Sequence, residues 1–206
     1  MTKLFYSPGA CSIGIHLLLE EIGAPFELVR VKLAEGEHKQ PDYMAINPKS
    51  TVPALIRDDG SILTEFQAIA LWLAWTNPTA ALMPMDAEAA TRGLEIMEYC
   101  VATQHMRAFS RIFNPRKYAQ HEADYDAVRA EGRAMVAAGF EVLNAAMAGK
   151  DYAAGNFSMF DAALFYVEFW GAGRMGMTLP ANCAAHYARM KARPAVARAM
   201  ASEGVS

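Results

Sequence analysis

In the segment FYSPGACSIGIHLLLEEIG, residues 5–23, a single cysteine stands between a Ser-Pro-Gly turn and an apolar run at helical spacing. Cys11 falls at the mouth of the first helix, where amides lacking intrahelical acceptors and the positive end of the macrodipole favour an anion. A thiol so placed is expected to be more acidic than a free one, and the thiolate is the reactive form of cysteine. The competing role is that of a small core side chain. Position 14, where a C-x-x-C redox pair carries its second thiol, is Gly14. Chemistry at Cys11 is therefore single-thiol chemistry, and a mixed disulfide formed there needs an outside thiol to resolve it. Cys100 and Cys183 lie inside apolar helical patterns and read as buried and unreactive. Three cysteines at wide spacing fit neither a disulfide framework nor a zinc site, so a reducing compartment and no metal are expected. His105, in VATQHMRAF, lies on a long helix, where a histidine is more often a packing or surface residue than a catalyst.

The elements that must position these residues follow from periodicity. KLFY (3–6) reads as a strand, SIGIHLLLEEIG (12–23) as a helix with Ile13, Leu17 and Leu18 on one face and Gly23 as its stop, and FELVRVKL (26–33) as a half-buried strand. A polar loop leads to two β-runs around the hairpin signal Asp58-Asp59-Gly60, and FQAIALWLAW then reads as a helix stopping before Pro78. The opening is thus β-α-β-(loop)-β-β-α. After the Pro-punctuated linker 76–86 strand signals vanish, and helices are expected near 86–113, 122–149, 158–173 and 182–192, with a last one starting at Pro194. Ser158-x-x-Asp161 immediately before an apolar run is a capping-box pattern with a structural role.

The composition, 53% hydrophobic and 20% charged over 206 residues, supports two packed domains and argues against extended disorder. A net charge of -3 without a Lys/Arg block excludes a phosphate-backbone partner, so no nucleic acid is expected. Pro8, His16 and Glu20-Glu21 interrupt any export signal, and no apolar run approaches the roughly 18 residues a membrane span requires. A cytoplasmic protein is expected, with no membrane partner.

Four stretches, SPGACS (7–12), INPKSTVPAL (46–55), LTEFQAIALWLA (63–74) and GNFSMFDAALF (155–165), resemble in this order the glutathione S-transferases, and within them the bacterial beta class. The resemblance covers nearly the whole chain. It implies an α/β plus all-α fold: a thioredoxin-like glutathione-binding domain over 1–80 and an all-helical domain over 86–206 that forms the acceptor-substrate pocket. It also implies a homodimer, glutathione as co-substrate, a small electrophilic substrate and a detoxification role.

The resemblance assigns Cys11 and Ser12 to the sulfur of glutathione, either as hydrogen-bonding groups that stabilise its thiolate or, for Cys11, as a covalent partner. His105 falls where similar enzymes have a histidine facing the active site. Tyr6 matches relatives that activate glutathione through a tyrosine, but in chains with this cysteine it is core. Thr51, Val52 and Pro53 resemble the family's cis-proline step, whose backbone would pair with the tripeptide as an added strand. The helix beginning at TEFQAI would take the γ-glutamyl carboxylate on its first amides, with Glu65 meeting the ammonium group. Phe66 departs from the small residue usual in the family and is expected to bring a bulky ring beside the ligand's charged end. Loop 34–42 is a second departure and leaves Lys39 and Lys49 as candidates for the glycyl carboxylate. Thr103 and Gln104 could reach a ligand across a dimer interface, and Met106, Phe109 and Phe113 are spaced either to line an apolar pocket or to fill a core. Three functions follow: a glutathione transferase acting on small apolar electrophiles, a glutathione-dependent thiol-disulfide or peroxide reductase using Cys11 covalently, and a non-catalytic ligand- or protein-binding scaffold.

Overall fold

The computed structural model describes all 206 residues, Met1–Ser206. The chain divides into two compact units, one formed by Met1–Met83 together with Arg189–Ser206, the other by Pro84–Ala188. The first break lies inside the linker expected from its prolines. The C-terminal segment, expected with the helical half, belongs to the first unit.

The first unit runs β1 (Thr2–Tyr6), α1 (Ser12–Ile22), β2 (Phe26–Arg30), α2 (Pro41–Ile46), β3 (Ala54–Ile56), β4 (Ile62–Thr64) and α3 (Phe66–Thr76), and is completed by the last helix of the chain. Its sheet has the order β2-β1-β3-β4, with β1 parallel to β2 and the β1/β3 and β3/β4 pairs antiparallel. The β3–β4 hairpin forms at Asp58-Asp59-Gly60, where Gly60 supplies a φ of 82°. Strand β2 ends at Arg30, three residues before the end of its alternating pattern; Val31 N–H still donates to Tyr6 O at 2.7 Å, and the turn Leu33–Glu35 follows. The short helix α2 was hidden in the polar loop. Pro41 at its first position was its one local signal, and Tyr43 is its only buried side chain.

Phe5, Val31, Tyr43, Val52 and Ala54 form one buried cluster on the sheet. Leu4 and Leu55, paired in register, take the opposite face by the two-residue period of a strand. Helix α1 ends where expected, Gly23 closing it at φ 72° with its N–H donating to Leu19 O. Its burial is wider than the periodicity indicates, since every residue from Ser12 to Leu19 is buried. The reason is the last helix, α9 in the chain order (Pro194–Glu203), which packs along α1. Arg193, immediately before it, and Arg198 on it pair with Glu21 and Glu20 at 2.7 and 2.6 Å. A helix covered on all sides is apolar almost throughout, and the buried polar residues of α1, Ser12 at its first position and His16, therefore need partners inside the protein.

In the second unit α4 (Ala87–Glu98) continues through a π-helical stretch, Tyr99–Phe109, into α5 (Ser110–Phe113). Helix α6 (Tyr125–Ala146), then α7 (Met159–Glu168) with a second π-helical stretch (Phe169–Arg174), and α8 (Ala181–Lys191) follow, the last running across the division after Ala188. Close packing here depends on small residues. A Cβ at Gly93 of α4 would lie 2.1 Å from the ring of Phe160, itself fully buried on α7. Gly93→Ala should therefore destabilise the protein by roughly 1–3 kcal/mol, the usual penalty for overpacking, seen as a lower urea midpoint with unchanged slope. The capping box at Ser158 and Asp161 forms as expected. No helix is long and apolar enough to cross a membrane.

Candidate active site

The turn that carries Cys11 is built by hydrogen bonds that fix its backbone. Ala10 N–H donates to Ser7 O at 2.9 Å, and the Ser12 hydroxyl accepts from Ser7 N–H at 3.2 Å while donating to Ser7 O at 3.3 Å. Ser12 is fully buried. Its hydroxyl, nominated for the sulfur of a ligand, is occupied in closing this turn, so it positions the loop rather than facing outward. Gly9 takes a φ of 62°, and its N–H donates to Glu203 Oε2 at 2.7 Å. The other oxygen of Glu203 lies 2.8 Å from His16 Nδ1. One carboxylate near the end of α9 thus holds both the loop before Cys11 and the histidine buried in α1. Neither residue had a sequence signal for this role, because Gly9 and Glu203 are 194 positions apart.

Cys11 caps α1 and is 8% exposed, with its thiol donating to Val52 O at 3.4 Å. The expected acidic thiol is not what this environment produces. Burial pushes the thiol up to about 12; the amides of Cys11 and Ser12 pull it down, and the charges of Glu65 and Glu203 push it further up. The helix-terminus effect is present, but desolvation of the charged form outweighs it. At neutral pH Cys11 is a protonated hydrogen-bond donor. Burial also pushes the Tyr6 phenol up, in keeping with a core residue. Cys100 and Cys183 are fully buried, and burial raises both thiols, the latter to about 12.

Beside Cys11 the Val52-Pro53 peptide bond is cis. Thr51 is exposed, and its carbonyl accepts from Tyr43 OH at 2.6 Å and from buried Asn47 Nδ2 at 2.8 Å. These two residues, unnoticed in the sequence, hold the segment from beneath. The Val52 N–H has no acceptor within the chain. A backbone with one strand-forming amide unused is a template for an added extended peptide.

Glu65 precedes α3 with φ 72° and ψ 127°, a conformation that disfavours any side chain and costs of order 1–3 kcal/mol. Lys49 holds it, with Nζ 2.7 Å from Glu65 Oε1 and 2.8 Å from Thr64 Oγ1. Lys49 is therefore engaged with Glu65 rather than standing free for a carboxylate. Lys39 is exposed on the turn Glu37–Lys39 with no ion-pair partner. Phe66 corrects a second expectation. Its ring is 5% exposed, so it packs inward at the first position of α3 and adds to the core.

His105 lies in the second unit, within the π-helical stretch. Its Nδ1 is 3.4 Å from Tyr166 OH and its ring meets Trp170 edge-on at 4.7 Å between centroids. Burial, reinforced by the charge of Lys117, pushes it down to about 4, so it is neutral at physiological pH. Gln104 is buried and donates to Val136 O at 3.2 Å. Phe109 is core, whereas Met106 and Phe113 are about half exposed. No group of three or more His, Cys, Asp or Glu side chains is placed to hold a metal ion.

Residues 9–75 match the family model described as the glutathione S-transferase N-terminal domain. The glutathione S-transferase GstA of Escherichia coli O157:H7 is 34% identical over 207 residues, which span 98% of this chain and 99% of that protein. A glutathione transferase homologue from Sulfitobacter, solved with bound glutathione, superposes with a TM-score of 0.92 at 32% identity, covering 100% of this chain and 99% of its own. The bacterial beta-class enzyme of Sphingomonas chungbukensis gives 0.84 at 33% identity, with 99% and 100% covered. With the thioredoxin-like sheet, the cis-proline step and a helical second unit in place, the chain belongs to the glutathione S-transferase family.

Proposed function

We propose that the protein transfers glutathione to small electrophiles with an apolar body, and that Cys11 acts as a hydrogen-bond donor to the glutathione sulfur without bonding to it. The observation that carries this reading is the protonated, buried thiol at the mouth of α1, directed at Val52 O beside the unused Val52 N–H. A tripeptide lying along residues 51–53 would take that N–H. The strained Glu65 and the first turn of α3 would face its γ-glutamyl end, and exposed Lys39 is the cation left for its glycyl carboxylate. The S–H of Cys11 then turns from Val52 O to the ligand's sulfur and favours its anionic form, since hydrogen bonds to a charged form lower its pKa. Attack on the acceptor follows from proximity and from that activated thiolate.

Of the two departures that favour a non-catalytic scaffold, Phe66 and loop 34–42, the inward packing of the Phe66 ring weakens the first. A buried, protonated Cys11 speaks against the reductase, whose covalent step needs the thiolate. Homodimers in a reducing cytoplasm, with a role in detoxification, complete the proposal.

Two variants test it with a chloronitrobenzene acceptor. Cys11→Ser keeps a donor and should retain kcat/KM for glutathione within a few-fold, while Cys11→Ala should lose about 10-fold, the worth of one hydrogen bond to a charged group. Intact mass after incubation with glutathione disulfide should show no adduct on the parent protein. An adduct at Cys11 together with an inactive serine variant would establish the reductase instead.

A further inference from the structure

Three residues other than glycine take a positive φ in this chain: Ser50 at 54°, Glu65 at 72° and Ala81 at 51°. Two of them border a single ion pair. Backbone strain of this kind persists only where the surrounding structure fixes it, and it gathers where ligands are held. Lys49, the residue before Ser50, reaches the end of β4, where its Nζ lies 2.7 Å from Glu65 Oε1 and 2.8 Å from Thr64 Oγ1. Its backbone is fixed as well. Lys49 N–H donates to Asn47 Oδ1 at 3.2 Å and Ser50 N–H to Asn47 O at 2.9 Å, while Asn47 is fully buried with Nδ2 donating to Thr51 O at 2.8 Å. The turn that presents Thr51 and Val52 therefore also aims a cation at Glu65.

That cation changes what Glu65 can select. Where Glu65 faces the γ-glutamyl end of a tripeptide, the ligand's α-ammonium meets a carboxylate that already holds one. A second cation gains little there, because the attraction of Glu65 is opposed by the repulsion of Lys49. For the α-carboxylate of the same end the balance is reversed. It approaches the first turn of α3, which contains no acidic residue, and Lys49 offsets the one negative charge, that of Glu65, which would otherwise repel it. Lys49 and Glu65 are both exposed, so a ligand reaches the pair without disturbing the core, and the inward Phe66 ring leaves the charges to decide the contact.

We infer that Lys49 is a specificity-determining residue: it supplies the cation of this subsite from the protein, so that the thiol substrate needs the α-carboxylate of its γ-glutamyl end but not the α-ammonium. The role rests on the transferase reading, which sets Glu65 at that end. The substrate class widens accordingly to Cys-Gly thiols acylated by a dicarboxylic acid. Glutaryl-Cys-Gly, which is glutathione without its amino group, is the simplest of them.

The test is calorimetric titration of the full chain with three reduced thiols: glutathione, glutaryl-Cys-Gly, and 4-aminobutyryl-Cys-Gly, which keeps the ammonium and lacks the carboxylate. Glutaryl-Cys-Gly should bind within about 5-fold of glutathione, and the aminobutyryl thiol at least about 10-fold more weakly, the worth of a hydrogen bond to a charged group. Lys49→Ala leaves Glu65 uncompensated and should weaken glutaryl-Cys-Gly about 10-fold relative to glutathione, whereas Lys49→Arg should keep the parent ratio. A lysine with a merely structural role would move all three ligands together. Thermal unfolding of each variant verifies the fold. A glutaryl thiol more than about 5-fold weaker than glutathione on the parent protein, or a ratio unchanged in Lys49→Ala, would overturn the inference and leave the transferase reading standing. Binding in the expected pattern without transfer of glutathione to the chloronitrobenzene acceptor would overturn that reading alone, and no binding of any of the three thiols would overturn both.

Discussion

Asp161→Ala should unfold the protein at a markedly lower temperature, the largest loss expected from a single side chain here. Its fully buried carboxylate accepts from Ala153 N–H at 2.6 Å, from Ser158 N–H at 2.8 Å and from Ser158 Oγ at 3.0 Å, and lies 3.2 Å from His186 Nε2. Removing one partner of a buried ion pair costs about 3–5 kcal/mol, because the other charge is left uncompensated. For a chain of this size that is roughly 6–20 °C in melting temperature. Asp161→Asn keeps one acceptor oxygen and should fall between the two.

The same cluster gives stability a pH dependence. Burial alone would push His186 down, but Glu168, 2.8 Å from its Nδ1, and Asp161 raise it to about 9. Glu168 is pushed by burial up to about 7, against the pull of His186. Both groups hold protons more tightly folded than unfolded. The His186 contribution is complete below its ordinary value near 6.5 and is lost as pH climbs to about 9, and ionising Glu168 above its ordinary value opposes folding up to about 7. Urea midpoints should therefore decline from pH 6 towards about pH 9, and Asp161→Ala should flatten that decline. A midpoint that rises over this range would rule out the protonated His186.

Glu203→Ala should have the second largest effect, on both stability and the cysteine. It leaves two buried donors, the His16 ring and the Gly9 N–H, without their acceptor inside the protein, a loss of about 1–3 kcal/mol for each. It also takes away a negative charge that helps keep the Cys11 and Tyr6 protons in place. Alkylation of Cys11 by iodoacetamide should accelerate, and the KM for glutathione should rise about 10-fold as the turn before Cys11 loosens, given the steep dependence of reaction on placement. Glu203→Gln, which keeps an acceptor for Gly9 but not the charge, should recover most of the KM while keeping the faster alkylation. If alkylation is unchanged in both variants, Glu203 serves only to hold α9 on α1.

Phe66 and Cys11 illustrate how far local reasoning reaches. Both were placed correctly in their elements, one at the start of α3 and one at the mouth of α1. Their environments were not legible, because the direction of a ring and the dielectric around a sulfur depend on what packs over them. Glu203 and His16 show the same limit, since their meeting requires the last helix to return across α1.

What the chain's order of residues determined by itself was local: the opening β-α-β, the Gly60 hairpin, the Gly23 stop, the capping box at Asp161 and the helical second half. Each of these is decided by residues within a turn or two of one another, where steric preference and nearby hydrogen bonds suffice. Only the tertiary structure decided that Cys11 keeps its proton, that α9 joins the sheet-bearing unit, and that a histidine in α8 sits between two carboxylates. Those outcomes depend on water removed and charges brought close by segments far apart in the chain, and no local pattern encodes that sum.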